Sequence, residues 1–277
     1  MTGRAGPRRD RPSLSPAPGR TALAALGTVA ILLLAGCGGT GAPGSDARAG
    51  GTGTGSALSG TVTVLAAASL TESFDAIKAG LEAAHPGLSV AVSYGSSATL
   101  VQQVNQGAPA DVLALAGQAA AKPLDQSLVR STELFASNSL EIAVPPSNPG
   151  KVTGLADLAR TDLKVVLCET TVPCGKAAAA TLARAEVEPH VVSREIDVKA
   201  TLAKVSLGEA DAAIVYRSDV VAAKGAVSGI PIPAKLNTTL HYPVIRLDDE
   251  PATRAFVAAV LSPAGRATLT TFGFGPP

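Results

Sequence analysis

The chain of 277 residues has no tryptophan, one methionine, three cysteines and three histidines, and only 3% of it is aromatic. With so few large rings, alanine, valine and leucine must fill the core, and 46% apolar content makes that core attainable. The histidines (His85, His190 and His241) are scattered through "HPG", "PHVV" and "LHYP", and none stands beside a cysteine. That leaves no four-ligand zinc pattern. No G-x-x-x-x-G-K-[ST] phosphate loop is present, so nucleotide hydrolysis is excluded on that motif. No G-x-S-x-G elbow is present either, which removes the commonest serine-nucleophile signature. The apolar run "TALAALGTVAILLLAG" falls short of the ~20 residues that a comfortable membrane span needs.

Charge is sparse and uneven. The formal net charge of +1 hides five arginines against one aspartate before Cys37, leaving 18 basic against 21 acidic residues beyond it. A body of net −3 is a poor partner for nucleic acid. Arg4, Arg8, Arg9, Arg11 and Arg20 followed by the apolar run form an export signal over residues 1–36. Its ending, Leu34, Ala35, Gly36 and Cys37, resembles a bacterial lipobox, in which the cysteine is lipid-modified and becomes the mature N-terminus. Residues 38–60 are rich in Gly, Ser and Thr and are expected to act as a tether spanning roughly 25 Å. In an exported chain the remaining pair, Cys168 and Cys174, is expected as a disulfide, with two free thiols as the alternative. Closing so short a loop stabilises by ~2 kcal/mol in the chain-entropy picture.

From Thr61 onward, β-branched runs alternate with helical patterns, as an α/β fold requires. "TVTVLAA", "LSVAVSY", "DVLALA", "LKVVLC" and "DAAIVY" read as strands, and two closing helices split at Pro263. "SNSLEIAVPPSNPG" and "TLHYPVIRLDD" are extended segments that each separate one set of βα units from another. They read as crossings between two lobes, residues 61–141 with 244–277 and residues 142–243.

Two serines sit where a strand gives way to a helix, Ser69 in "AAASLTESF" and Ser97 in "YGSSATL". With Glu72 three residues on, Ser69 fits a capping box and can be read as a helix cap alone. The other reading is a ligand site. Ligands of open α/β sheets lie beyond the carboxyl ends of the strands, where helix N-termini offer free N–H groups and partial positive charge. The small side chains around both serines leave the backbone approachable. "ETTVPCGK", "IDVKATL" and "AIVYRSD" add three more junctions, all expected to present donors and no carboxylate. A donor-only cavity suits a fully deprotonated tetrahedral dianion; hydrogen phosphate would need an acceptor. Lys176 and Lys199 lie beside these junctions, as steering charges or as solvated helix residues.

The stretches "VTVLAAASLTESF", "YGSSATLVQQVNQGAPADVLALA", "SNSLEIAVPP", "AIVYRSDVVAAKG" and "YPV" resemble the periplasmic molybdate-binding proteins of ABC transporters, in order from Thr61 to Phe274. The resemblance implies a two-lobed, type II periplasmic-binding α/β fold with a ligand cleft between lobes. It implies that Ser69 and Ser97 hold the anion through hydroxyl and backbone N–H, that Cys174 and Val198 donate backbone N–H, and that Tyr216 donates its phenol. The position of Cys174 is commonly alanine in that family, so a Cys168–Cys174 bridge is expected to stiffen its loop. The implied protein is a monomeric, lipid-anchored receptor on the extracytoplasmic face. It carries molybdate or tungstate to a permease with a separate ATPase, with no cofactor, no direct metal ligand and no catalysis. A sulfate receptor, or a periplasmic enzyme on the same scaffold, is the alternative.

Overall fold

The computed structural model describes residues 58–277. The export signal, Cys37 and all but the last residues of the expected tether lie outside the described residues. The chain enters its first strand at Ser59, two residues ahead of Thr61. No helix among the described residues is long and apolar enough to cross a membrane.

The first half alternates strand and helix: β1 (Ser59–Ala67), α1 (Thr71–Ala84), β2 (Gly87–Gly95), α2 (Ser97–Asn105) and β3 (Val112–Ala114). β1 lies between β2 and β3, parallel to both. The long strand β4 (Ser131–Val144) leads into a second series: β5 (Val165–Cys168), α3 (Pro173–Arg184), β6 (Val191–Glu195), α4 (Val198–Ser206) and β7 (Ala212–Tyr216). Here β5 lies between β6 and β7, again parallel to both. A short helix α5 (Arg217–Ala222), strands β8 (Ser228–Pro231) and β9 (Thr239–Arg246), and helices α6 (Pro251–Leu261) and α7 (Pro263–Thr271) complete the chain. The strand order is β2-β1-β3-β9-β4-β7-β5-β6, with β8 also on β4.

Both crossing segments are strands that join the halves. β4 pairs antiparallel with β9 over Ser131–Ser139, then with β7 over Leu140–Ala143. One strand thus belongs to both sheets, and the handover falls between Ser139 and Leu140.

The composition explains the packing. β5 and β7 are buried along their whole length, as parallel strands covered on both faces must be, and "VVLC" and "AAIVY" are accordingly unbroken apolar runs. Four of the five phenylalanines avoid dispersal. Phe74 stacks against Phe135 and Phe256 at 5.7 Å, and Tyr242 packs edge-on to Phe135 (6.2 Å) and Phe274 (5.5 Å). This cluster backs the first half at the base of β9. The closing helices divide where expected: Ser262 ends α6 and caps α7, accepting the Gly265 N–H at 3.0 Å, with Pro263 opening the new helix.

Candidate functional site

The five residues singled out in the sequence line one cavity. Ser69 follows β1, Ser97 opens α2, Cys174 stands in the first turn of α3, Val198 opens α4, and Tyr216 ends β7. All five are buried, between 1% and 4% exposed. The carboxyl ends of both parallel strand sets therefore face the same space, and four helix starts converge on it. The space is about 20 Å³, far below the ~300 Å³ and more that hold organic substrates, so it takes a compact ligand of few heavy atoms.

Neither serine behaves as a helix cap. α1 begins at Thr71 without any side-chain cap, and the Ser69 hydroxyl instead lies 3.0 Å from the Tyr242 hydroxyl. The expected capping box fails because Glu72 turns away to Lys199, whose Nζ donates to both its carboxylate oxygens at 2.8 Å. Ser97 accepts the Ala116 N–H at 2.9 Å, from the segment just past the strand that follows its own helix. A hydroxyl that accepts one bond keeps its proton free to donate. Asn138 donates through Nδ2 to Tyr242 Oη (3.3 Å) and to Ser218 Oγ (2.8 Å). Either hydroxyl can donate in the Ser69–Tyr242 contact, and in both arrangements Ser69 Oγ is held at the cavity wall.

Tyr216 completes the set. Its hydroxyl is fully buried and meets no protein partner, and the same holds for Ser96 Oγ in the cavity wall. Burial pushes the Tyr216 phenol well above its ordinary range, with the neighbouring Tyr242 and Asp219 acting the same way, so it stays protonated and keeps a proton to donate. A buried donor left unpaired costs ~1–3 kcal/mol, which an acceptor in the cavity would relieve.

The second half brings Cys174 and Val198 to the wall. Cys168, at the end of β5, is joined to Cys174 by a disulfide, with Cα atoms 5.8 Å apart. Gly175 is packed so closely that a Cβ there would overlap the Glu169 carbonyl. The loop is thus wound against itself, and Val172, Pro173 and Cys174 at the start of α3 line the cavity. One expectation needs correcting: Asp197 lines the cavity, although no carboxylate was expected at the junctions. Its Oδ1 accepts the Ala200 N–H at 2.9 Å, capping α4, so the charge serves the helix and spares its own N-terminus. Glu169 is not part of the wall.

Lys199 is not a free steering charge. Besides Glu72 it approaches Asp219 Oδ1 at 3.5 Å. Asp219 is wholly buried, accepts the Tyr216 N–H through Oδ2 at 3.2 Å, and is pushed up to about 7 by burial, against the pull of Lys199. Lys176 lies in a neighbouring chamber of about 450 Å³ between α2 and α3, which shares Ala116 and Pro173 with the small cavity. No lysine, arginine or histidine lines the small cavity itself. Among the described residues no cluster of three His, Cys, Asp or Glu could hold a metal ion.

Sequence reasoning missed Tyr242, Asn138 and Ala116. Each supports a serine; the stretches "SNSLEIAVPP", "YGSSATLVQQVNQGAPADVLALA" and "YPV" contain them, but no role is assigned there to any of the three.

Residues 62–275 match the family model described as bacterial extracellular solute-binding protein. The chain belongs to this family. Molybdate-binding protein ModA of Mycobacterium tuberculosis is 35% identical to this solute-binding protein over 222 residues, 78% of the chain and 85% of the relative. The Azotobacter vinelandii periplasmic molybdate-binding protein shares its fold with a TM-score of 0.67 at 18% identity, covering 78% of this chain and 99% of that one. The sulfate-binding protein SubI from M. tuberculosis does so with a TM-score of 0.69 at 18% identity, covering 78% and 86%. The two-lobed α/β architecture with a cleft between lobes is that of these solute-binding proteins, and such relatives are transport proteins.

Proposed function

We propose that this protein captures molybdate, and tungstate with it, in the cavity between its lobes and delivers the anion to an ABC permease driven by a separate ATPase. The observation that carries the reading is a wall rich in hydroxyls and helix starts, whose one carboxylate, Asp197, is engaged in capping α4. Three hydroxyls (Ser69, Ser97 and Tyr216) and the N–H groups at Cys174 and Val198 would bind an ion that has only acceptors. Helix starts, each worth roughly half a positive charge, would balance the dianion without a cation in the wall. Molybdenum would be cargo held through its oxygens, with no direct metal ligand and no cofactor.

Lobe 1 would comprise residues 61–141 and 244–277 and lobe 2 residues 142–243, a division supported by the change of partner along β4. The lobes would close as a monomer about β4 and β9. Lipid on Cys37 would hold the protein at the extracytoplasmic face through a tether, and the net negative body offers nothing to nucleic acid. Catalysis is not part of this reading: Ser69 and Ser97 are held by Tyr242 and Ala116, and the wall contains no free base for either.

A sulfate receptor is the second reading, favoured by the likeness to SubI and by sulfate's identical acceptor pattern. Cavity size would separate the two. Calorimetric titration of the full chain with molybdate, tungstate, sulfate and phosphate tests both. Tight binding of the first two with a weak sulfate response supports the molybdate reading. Preferential sulfate binding moves the protein to the second reading, and silence toward all four refutes both.

A further inference from the structure

Glu72 and Lys199 lie outside the donor wall, yet they join its two sides. Resting on the oxyanion-receptor reading, we propose that the Glu72–Lys199 ion pair is the latch that holds the lobes closed. These are positioning residues that set affinity without touching the anion.

Glu72 lies in the first turn of α1, three residues after Ser69, and Lys199 follows Val198 in the first turn of α4. The contact joins residues 127 apart in sequence, through two bonds of 2.8 Å from one ammonium to both carboxylate oxygens. Glu72 keeps 35% of its side-chain exposure and Lys199 26%, so the pair sits at the rim and can open to water. Lys199 is anchored on its own side by Asp219, whose Oδ1 has no hydrogen-bond partner and faces the ammonium at 3.5 Å. The contacts therefore run from a buried point in the second half to a part-exposed carboxylate on the first. On the other flank of the cavity, α2 and α3 leave the 450 Å³ chamber between them. The α1–α4 flank is where the halves grip.

The sign of one substitution separates a latch from simple electrostatics. Glu72→Gln removes a negative charge beside a site for a dianion, and Coulomb's law alone then predicts tighter binding. A latch predicts the opposite: Kd for molybdate rises about fivefold, carried by a faster off-rate with the on-rate unchanged. Combining Glu72→Lys with Lys199→Glu should recover affinity that either change alone loses.

The experiment is stopped-flow and calorimetric titration of the full chain with molybdate, wild type beside the variants. It is paired with spin-label distances between Ala79→Cys on α1 and Ser206→Cys on α4 in the ligand-free protein. Weaker binding by Glu72→Gln and a distance distribution moved outward support the latch. Equal or tighter binding by Glu72→Gln, with wild type binding well, overturns the latch and leaves the receptor reading standing. A wild type that binds no oxyanion overturns the receptor reading instead; an unmoved distance distribution then sinks the latch as well.

Discussion

The two sides of the cavity are built by different means. In the first half, side chains do the holding: Ser69 leans on Tyr242, Tyr242 on Asn138, and Ser97 on the Ala116 N–H, all backed by the phenylalanine cluster. In the second half the backbone is fixed from outside, by a disulfide beside α3 and an aspartate cap on α4. Side-chain identity should therefore decide function throughout the first side and, on the second, at Tyr216 alone. Elsewhere on the second side what matters is the path of the chain.

That contrast can be broken most severely at Gly175. Gly175→Ala drives a methyl group into the Glu169 carbonyl, so the loop must unwind, and binding should fall at least 100-fold with no change to a donor side chain. Calorimetry with circular dichroism on the same sample checks that the fold survives. The next largest effect concerns Asp219, the one fully buried carboxylate among the described residues. Its pKa is raised to about 7, so the folded protein holds a proton there that the unfolded chain releases near pH 4. Stability should thus fall as pH rises from about 4 to 7, by roughly 4 kcal/mol from this group, and Asp219→Asn should flatten that slope in pH-dependent urea unfolding.

A paired substitution sharpens the comparison further. Ser69→Ala should cost about 1.5–3 kcal/mol of oxyanion binding, because a hydrogen bond to a charged group is lost. Val198→Ala keeps its N–H and should leave Kd within about threefold while lowering unfolding stability by ~1–2 kcal/mol. Equal losses of affinity would erase the distinction. The smallest effect is on the staple. Reducing Cys168–Cys174 should cost ~2 kcal/mol in thermal unfolding and weaken binding only severalfold, since the donors remain in sequence and lose only rigidity.

The same contrast explains what could be read from the sequence. Strands buried on both faces announce themselves as apolar runs, and the closing helices announce their break at Pro263. β6, half exposed along "VVSRE", and the polar start of β4 carry no such pattern. Ser69 and Ser97 stood out because a lone hydroxyl at a strand–helix junction is a side-chain signal. Cys174 and Val198 are proposed to act through amides that every residue possesses, so only resemblance to a family pointed to them. The Ser69–Glu72 capping box failed for a related reason: a local pattern was overruled by Lys199, which the fold brings in from the other half.

The hydrogen bonds from Asn138 through Tyr242 to Ser69 tie the cavity to the strand that both sheets share. Asn138 gives its protons through Nδ2, while each hydroxyl beyond it can give or take one. Asn138 stands at the end of the β9-paired stretch of β4, beside the handover to β7. The posture of the first serine is thereby registered to the seam of the molecule by a residue that does not line the cavity.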